Sequence, residues 1–69
     1  MENIEITVNG EVKHVPAGST IDRLLAWLEI DPSRVAVERN RKIARKSDWG
    51  ATLVEGGDQL EIVWFVGGG

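Results

Sequence analysis

The alternation of apolar and polar residues predicts a pair of strands near the start of the chain. Residues 4–8 alternate isoleucine or valine with polar side chains, the period of a strand that buries one face. Asn9 and Gly10 follow, and both residue types accept the positive φ angles that a type I′ turn requires. We therefore expect residues 11–15 to run back antiparallel to the first strand.

An amphipathic helix is predicted next. Its apolar residues fall at positions i, i+3, i+4 and i+7 and form one stripe: Ile21, Leu24, Leu25 and Leu28. Ser19, with Asp22 three residues later, resembles a capping arrangement at the start of a helix. Asp31-Pro32 is expected to end this helix.

The second half of the chain predicts three more strands. In residues 35–38, valine alternates with Ala36 and Glu38, as in a strand. Asn40 permits a turn, and a short strand is expected around Ile43. Residues 47–52 are expected to be irregular or to form a single turn. Residues 55–58 form a predicted tight turn, which leads into residues 59–66, the most strongly β-forming run of the chain.

The last predicted strand is apolar on both faces. One face carries Leu60, Ile62, Trp64 and Val66, and Val63 and Phe65 lie on the other. A strand of this kind is usually central in its sheet. A single helix covers only one face of a sheet, so we expect Val63 and Phe65 to be exposed as a partner-docking face, or else to be covered by loops.

This order of elements predicts one small α+β domain. Two strands, a helix and three strands indicate a ubiquitin-like β-grasp fold, in which one main helix covers one face of a mixed sheet of about five strands. Residues 1–66 would form this domain, and residues 67–69 would form a flexible Gly-Gly-Gly tail. The chain has 69 residues and no cysteine, so its stability must come from one apolar core.

Composition and charge restrict the function classes. Because Met1 leads directly into the first strand, we expect no signal peptide and no membrane-spanning helix, and therefore a cytoplasmic protein. Residues 34–46 hold six of the eight basic residues and carry a net charge of +5, against −8 for the rest. This segment is either a solvated surface or a region that steers a partner. Nucleic-acid binding is not expected, because no aromatic residue lies within it.

The tail offers the strongest candidate for chemistry. Gly67, Gly68 and Gly69 have no side chains, so an extended segment could thread a narrow channel and carry the carboxylate of Gly69 into a partner's active site. A frayed chain end is the alternative explanation. His14 is a single histidine, and no set of residues has metal-ligand spacing, so we expect neither a metal site nor a catalytic side chain.

Several segments together resemble the ThiS family, the bacterial sulfur carriers of thiamine biosynthesis. They are Val8-Asn9-Gly10, Ser19-Thr20-Ile21, Leu24-Leu25, Val37-Glu38-Arg39-Asn40, Gly57-Asp58-Gln59-Leu60-Glu61-Ile62-Val63 and Phe65-Val66-Gly67-Gly68-Gly69. The resemblance spans nearly the whole chain, and the ending is its most specific part. Together with the preceding strand and the Glu38-Arg39-Asn40 turn, the terminal glycines favour the thiamine branch over the molybdopterin branch, called MoaD.

The resemblance implies a protein that is acted upon by other enzymes. A ThiF-like adenylyltransferase would couple the carboxylate of Gly69 to AMP, and Gly67 and Gly68 would lie in the partner's channel. Sulfur from a persulfide donor enzyme would then give a thiocarboxylate, which a ThiG-like thiazole synthase would consume. No cofactor would be bound intrinsically, since ATP and the persulfide act through the partners.

Three other functions remain open from the sequence. A ubiquitin-type protein modifier would use the same activated Gly69 to form an isopeptide bond with a lysine. A molybdopterin-synthase small subunit would dock permanently through Val63 and Phe65. A β-grasp interaction module would have no function for its tail.

Overall fold

A computed structural model describes residues 2–66 of the chain. The five strands and the helix are β1 (Asn3–Val8), β2 (Glu11–Pro16), α1 (Ile21–Trp27), β3 (Val35–Arg39), β4 (Lys42–Ala44) and β5 (Gln59–Trp64). Single turns of 3₁₀ helix lie at Pro32–Arg34 and Lys46–Asp48. The predicted order of elements is confirmed.

The strands form one mixed sheet in the order β2-β1-β5-β3-β4. β1 and β5 are parallel, while the other neighbouring pairs are antiparallel. The last strand in the sequence is therefore central, as its apolar faces predict. Helix α1 packs on one face through its buried residues Ile21, Leu24 and Leu25, so the predicted β-grasp fold is confirmed.

The first hairpin turns where the sequence predicts it. Asn9 has φ 51° and Gly10 has φ 80°, the two positive values of a type I′ turn. Val8 pairs with Glu11 across the turn. Because the turn contains only two residues, it fixes the register of the whole hairpin.

Both predicted ends of the helix differ from the structure. Thr20, rather than Ser19, is the N-cap, and its hydroxyl accepts a hydrogen bond of 3.3 Å from the backbone N–H of Arg23. The Ser19 hydroxyl instead donates to the Pro16 carbonyl at 2.8 Å. The prediction erred by one residue because serine and threonine are adjacent and both can cap.

The helix ends before Asp31-Pro32, which was predicted to stop it. Glu29 adopts φ 61°, and its N–H donates to the carbonyl of Ala26, while the N–H of Ile30 donates to that of Leu25. This pair of bonds is a Schellman motif, in which the left-handed residue is usually glycine. Since a glutamate occupies that position here, the sequence gives no signal for it.

One apolar core lies between the helix and the sheet. Its buried members are Ile6, Val8, Val15, Ile21, Leu24, Leu25, Val35, Val37, Trp49, Val54, Leu60 and Ile62. Trp49 comes from the segment that was predicted to be irregular. Its indole N–H donates to the carbonyl of Ala44 at 2.8 Å, so the residue fills the core without an unpaired polar group.

Candidate functional site

The predicted reactive group lies at the end of the chain. Gly67, Gly68 and Gly69, with the proposed attachment point at Gly69, lie outside the described residues. The described part of the candidate site is therefore the segment of β5 that leads to them. Its position depends on two side-chain networks, one from the β1–β2 turn and one from the β3–β4 turn.

β5 presents two different faces. Leu60 and Ile62 are buried beneath α1, whereas Val63 is 54% exposed and Phe65 is 60% exposed. Val63 and Phe65 lie on the face of the sheet opposite α1, which we call the open face. Of the two alternatives that the sequence left open, exposure and coverage by loops, the structure shows exposure among residues 2–66. Trp64 alternates onto the helix side but is still about half exposed.

Asn9 attaches the β1–β2 turn to β5. Its side-chain nitrogen donates to the Ile62 carbonyl at 3.2 Å, and its side-chain oxygen accepts from the Ile62 N–H at 2.8 Å. Its backbone N–H also donates to the carbonyl of Leu60 at 2.9 Å. The side-chain amide of Asn9 thus continues the ladder between β1 and β5 after the backbone of β1 has turned away.

A second network joins the β3–β4 turn to the residues that precede β5. The guanidinium Nε of Arg39 donates to Asp58 at 2.7 Å, and the side-chain nitrogen of Asn40 donates to the same carboxylate at 3.1 Å. The N–H of Gln59 donates to the side-chain oxygen of Asn40 at 2.9 Å. Two segments that carry the family resemblance, residues 37–40 and residues 57–63, are therefore in direct contact.

The environment of Asp58 keeps its carboxylate ionised. The side chain is only 8% exposed. Burial raises its pKa, but hydrogen bonds from the Glu55 N–H, Arg39 and Asn40 together outweigh burial and hold the pKa below its ordinary value of 3.8. A charged, fully bonded aspartate at this position fixes the start of β5 to the turn between β3 and β4.

The open face is acidic near the two turns. Glu38 and Glu61 lie directly opposite each other on β3 and β5, a like-charge pair that weakens the sheet locally. With Arg41, they line a shallow groove of about 440 Å³. Arg41 belongs to the basic segment 34–46, which the structure places mainly on β3, β4 and the following turn.

The described side chains form no metal-ligand cluster. His14 lies on the open face, 3.4 Å from the carboxylate of Glu5, and both side chains are mainly exposed. Within residues 2–66, no group of three or more histidine and acidic side chains is arranged to hold a metal ion. No helix in this part of the chain is long and apolar enough to cross a membrane.

Sequence reasoning named the glycines, which lie outside the described residues, and the exposed apolar residues, but it did not find the two networks. Asn9 was assigned a turn role only, and Asp58 was assigned to a tight turn. A signal existed in both cases, because amide and carboxylate side chains beside turns commonly bond to nearby backbone. Their partners at Ile62 and Arg39 are distant in sequence, so pattern analysis could not assign them.

The chain matches proteins of known family over its whole described length. The model of the ThiS family matches residues 2–69. The sulfur carrier protein ThiS of Bacillus subtilis is 38% identical, with 93% of this chain and 98% of that protein covered. The crystal structure of the thiamine biosynthesis protein ThiS from Geobacter metallireducens superposes with a TM-score of 0.83 at 32% identity, covering 96% of this chain and all of that one.

Larger proteins also contain a similar segment. A thiazole synthase of Paramagnetospirillum magneticum is 44% identical over 96% of this chain but only 20% of its own length. The chain thus spans about one fifth of the thiazole synthases that it matches. Since the family model covers nearly every residue, and relatives matched over almost their whole length agree in sequence and fold, this chain belongs to the ThiS family.

Proposed function

We propose that this chain is a sulfur carrier protein of thiamine biosynthesis. The observation that carries the proposal is the match to the ThiS family from residue 2 to Gly69, which includes the glycines after β5. The fold supports it, because β5 is central and two polar networks fix its position. The glycines that follow therefore start from a defined point on the domain.

The reactive group in this proposal is the carboxylate of Gly69. A carboxylate is a poor acyl donor because its leaving group would be oxide. An oxygen of the carboxylate attacks the α-phosphorus of ATP in a ThiF-like adenylyltransferase, pyrophosphate leaves, and an acyl adenylate forms. The chain is the substrate of this step, so no catalytic side chain of its own is required.

Sulfur enters by substitution at the activated carbonyl carbon. A persulfide sulfur of a donor enzyme forms the new carbon–sulfur bond, and AMP leaves with the electrons of the bond that breaks. A thiol then reduces the sulfur–sulfur bond of the resulting acyl disulfide, which leaves a thiocarboxylate on Gly69 and a disulfide on the donor. ATP and the persulfide act through the partners, and the chain itself binds no cofactor in this scheme.

The sulfur acceptor in this proposal is a ThiG-like thiazole synthase. Two proteins named thiazole synthase contain a segment that resembles this chain at 44% and 41% identity. A carrier-like segment within a synthase polypeptide supports a partnership between the two activities. We assign the exposed residues Val63 and Phe65 to partner docking, since exposed apolar patches commonly mark interaction sites.

Genetic complementation tests this function. In a thiamine-requiring bacterium that lacks its own carrier, the 69-residue chain should restore growth without thiazole. A variant that lacks Gly68 and Gly69 should fold but fail to restore growth, and added thiazole should rescue it. Growth of the truncated variant without thiazole would refute a role for the terminal carboxylate, and would favour an interaction module.

A further inference from the structure

Among residues 2–66, no strand lies beside the last residues of β5 on one of its two sides. β1 pairs with β5 only at Gln59 and Leu60, and the side chain of Asn9 extends this pairing to Ile62. On the other side, β3 follows β5 as far as Trp64. From Val63 onward, β5 therefore pairs with a strand only on the β3 side, and its other side is a sheet edge.

The backbone of Trp64 points to this empty side. Successive residues of a strand direct their N–H and C=O groups to opposite edges. Phe65 donates its N–H to the Arg34 carbonyl, on the β3 side, while Ile62 bonds to Asn9, on the β1 side. Trp64 follows Ile62 by two residues, so its N–H and C=O point to the same side as those of Ile62, the β1 side. Among the described residues, no backbone or side-chain group bonds to its N–H or C=O on that side.

The side chains next to this edge are apolar and partly exposed on both faces of the sheet, so a strand added at the edge could cover them. Val63 and Phe65 are exposed on the open face, and Trp64 is about half exposed on the opposite face. An extended segment added beside Trp64 would bury apolar surface on both faces while it pairs with the backbone. Strand addition of this kind combines main-chain hydrogen bonds with apolar contacts of alternate side chains.

We propose that the free edge at Trp64 pairs with an extended segment of the enzyme that receives the tail. This inference rests on the proposed function, because Gly69 lies five residues beyond Trp64 and a fully extended chain spans about 17 Å over that distance. An enzyme that holds the carboxylate of Gly69 in its active site therefore lies within about 17 Å of Trp64, close enough to place an extended segment along this edge. The added segment donates to the Trp64 C=O and accepts from the Trp64 N–H.

Amide exchange of the unmodified chain tests the pairing directly. The probe is a ThiF-like adenylyltransferase without ATP, added to the ¹⁵N-labelled chain. We expect exchange of the Trp64 N–H to slow about tenfold or more in the complex, while that of Phe65, already bonded to β3, changes little. A Trp64 N–H that exchanges at the free rate in a chain that is adenylated normally would overturn the inference and leave the proposed function intact.

Two variants distinguish the contribution of the Trp64 backbone N–H from that of its indole side chain. Trp64→Ala removes the indole and keeps the N–H, whereas Trp64→Pro removes both, at a strand edge where proline is tolerated. We expect the KM for adenylation to be about tenfold higher for Trp64→Pro than for Trp64→Ala. Equal KM values in two folded variants would contradict the proposal. If Trp64→Pro does not fold, the exchange measurement on the unmodified chain decides.

A second copy of the chain is the competing occupant of this edge. Two β5 strands could pair with each other at high concentration. Protection of Trp64 in the chain alone, rising with its concentration, would overturn the assignment to a partner enzyme. A chain that is never adenylated would instead refute the proposed function, and this inference with it.

Discussion

The side-chain amide of Asn9 bonds to both the N–H and the carbonyl of Ile62, 53 residues away in the sequence. The Asn9 side chain thus makes the hydrogen bonds to β5 that a further backbone residue of β1 would make, beyond the point where the two backbones separate. In the proposed carrier, Ile62 lies seven residues before the reactive carboxylate. This contact is therefore the last attachment of β5 to β1 before the tail.

Asn9→Gly tests the contribution of this contact. Glycine retains the positive φ angle of the turn and removes both side-chain hydrogen bonds. We expect the free energy of unfolding to fall by about 1–3 kcal/mol, measured by urea denaturation. Amide exchange of the Ile62 N–H should accelerate more than that of Leu60. A variant as stable as the parent, with Ile62 still protected, would show that the contact contributes nothing.

Asp58→Asn tests the second network. The substitution preserves shape but removes the charge that faces Arg39, whose side chain is only 27% exposed. We expect a loss of about 1.5–3 kcal/mol in the free energy of unfolding, the range for hydrogen bonds to charged groups. Glu55→Gln is the matched control, because that carboxylate is exposed and 3.5 Å from Arg39, and its removal should cost less than about 0.5 kcal/mol.

The same network makes the stability of the protein dependent on pH. Because the pKa of Asp58 is lower in the folded than in the unfolded state, its contribution is present above the unfolded pKa of about 3.8. It is lost as the pH falls through the folded pKa. The free energy of unfolding should therefore fall less steeply below about pH 4 in Asp58→Asn than in the parent. Parallel curves for the two proteins would contradict the assignment.

Val63→Ser tests the docking face. Val63 and Val12 are both 54% exposed, and both lie on the open face, but only Val63 is next to the end of β5. Each serine variant should lose less than about 1 kcal/mol of stability. We expect the KM for adenylation to rise about fivefold for Val63→Ser and to change little for Val12→Ser. Equal effects would show that docking does not depend on the tail side of the face.

The sequence predicted most of the fold because local patterns specify it. Periodicity placed the strands and the helix, and the Asn9-Gly10 turn fixed the first hairpin. The exposure of Val63 was one of two predicted alternatives, because a single helix covers one face of a sheet but loops could have covered the other. The central position of β5 followed from its apolar residues on both faces.

Features that depend on tertiary contacts could not be predicted in the same way. Trp49 lies in a segment without periodicity, and only the packed structure shows that its ring completes the core. Glu29 ends the helix in a conformation that usually favours glycine, so the predicted stop at Asp31-Pro32 was late. The bonds from Asn9 to Ile62 and from Arg39 to Asp58 join residues that become neighbours only on folding.

Gly68→Val tests whether the tail must pass through a narrow channel. We expect the variant to have the same urea midpoint as the parent, because residue 68 follows β5 in the sequence and the buried core among residues 2–66 ends at Ile62. The rate of adenylation, measured as pyrophosphate release, should fall at least about a hundredfold, since a branched side chain would clash in a channel shaped for glycine. Turnover at the parental rate would refute threading of the tail.

The central claim is that Gly69 carries the sulfur. Intact-mass analysis after incubation with an adenylating enzyme, ATP and a sulfide source tests it most directly. We predict a mass increase equal to one oxygen replaced by sulfur, located by fragmentation to the C-terminal peptide and absent when ATP is omitted. An unchanged mass, while the enzyme thiocarboxylates its own carrier under the same conditions, would contradict the account.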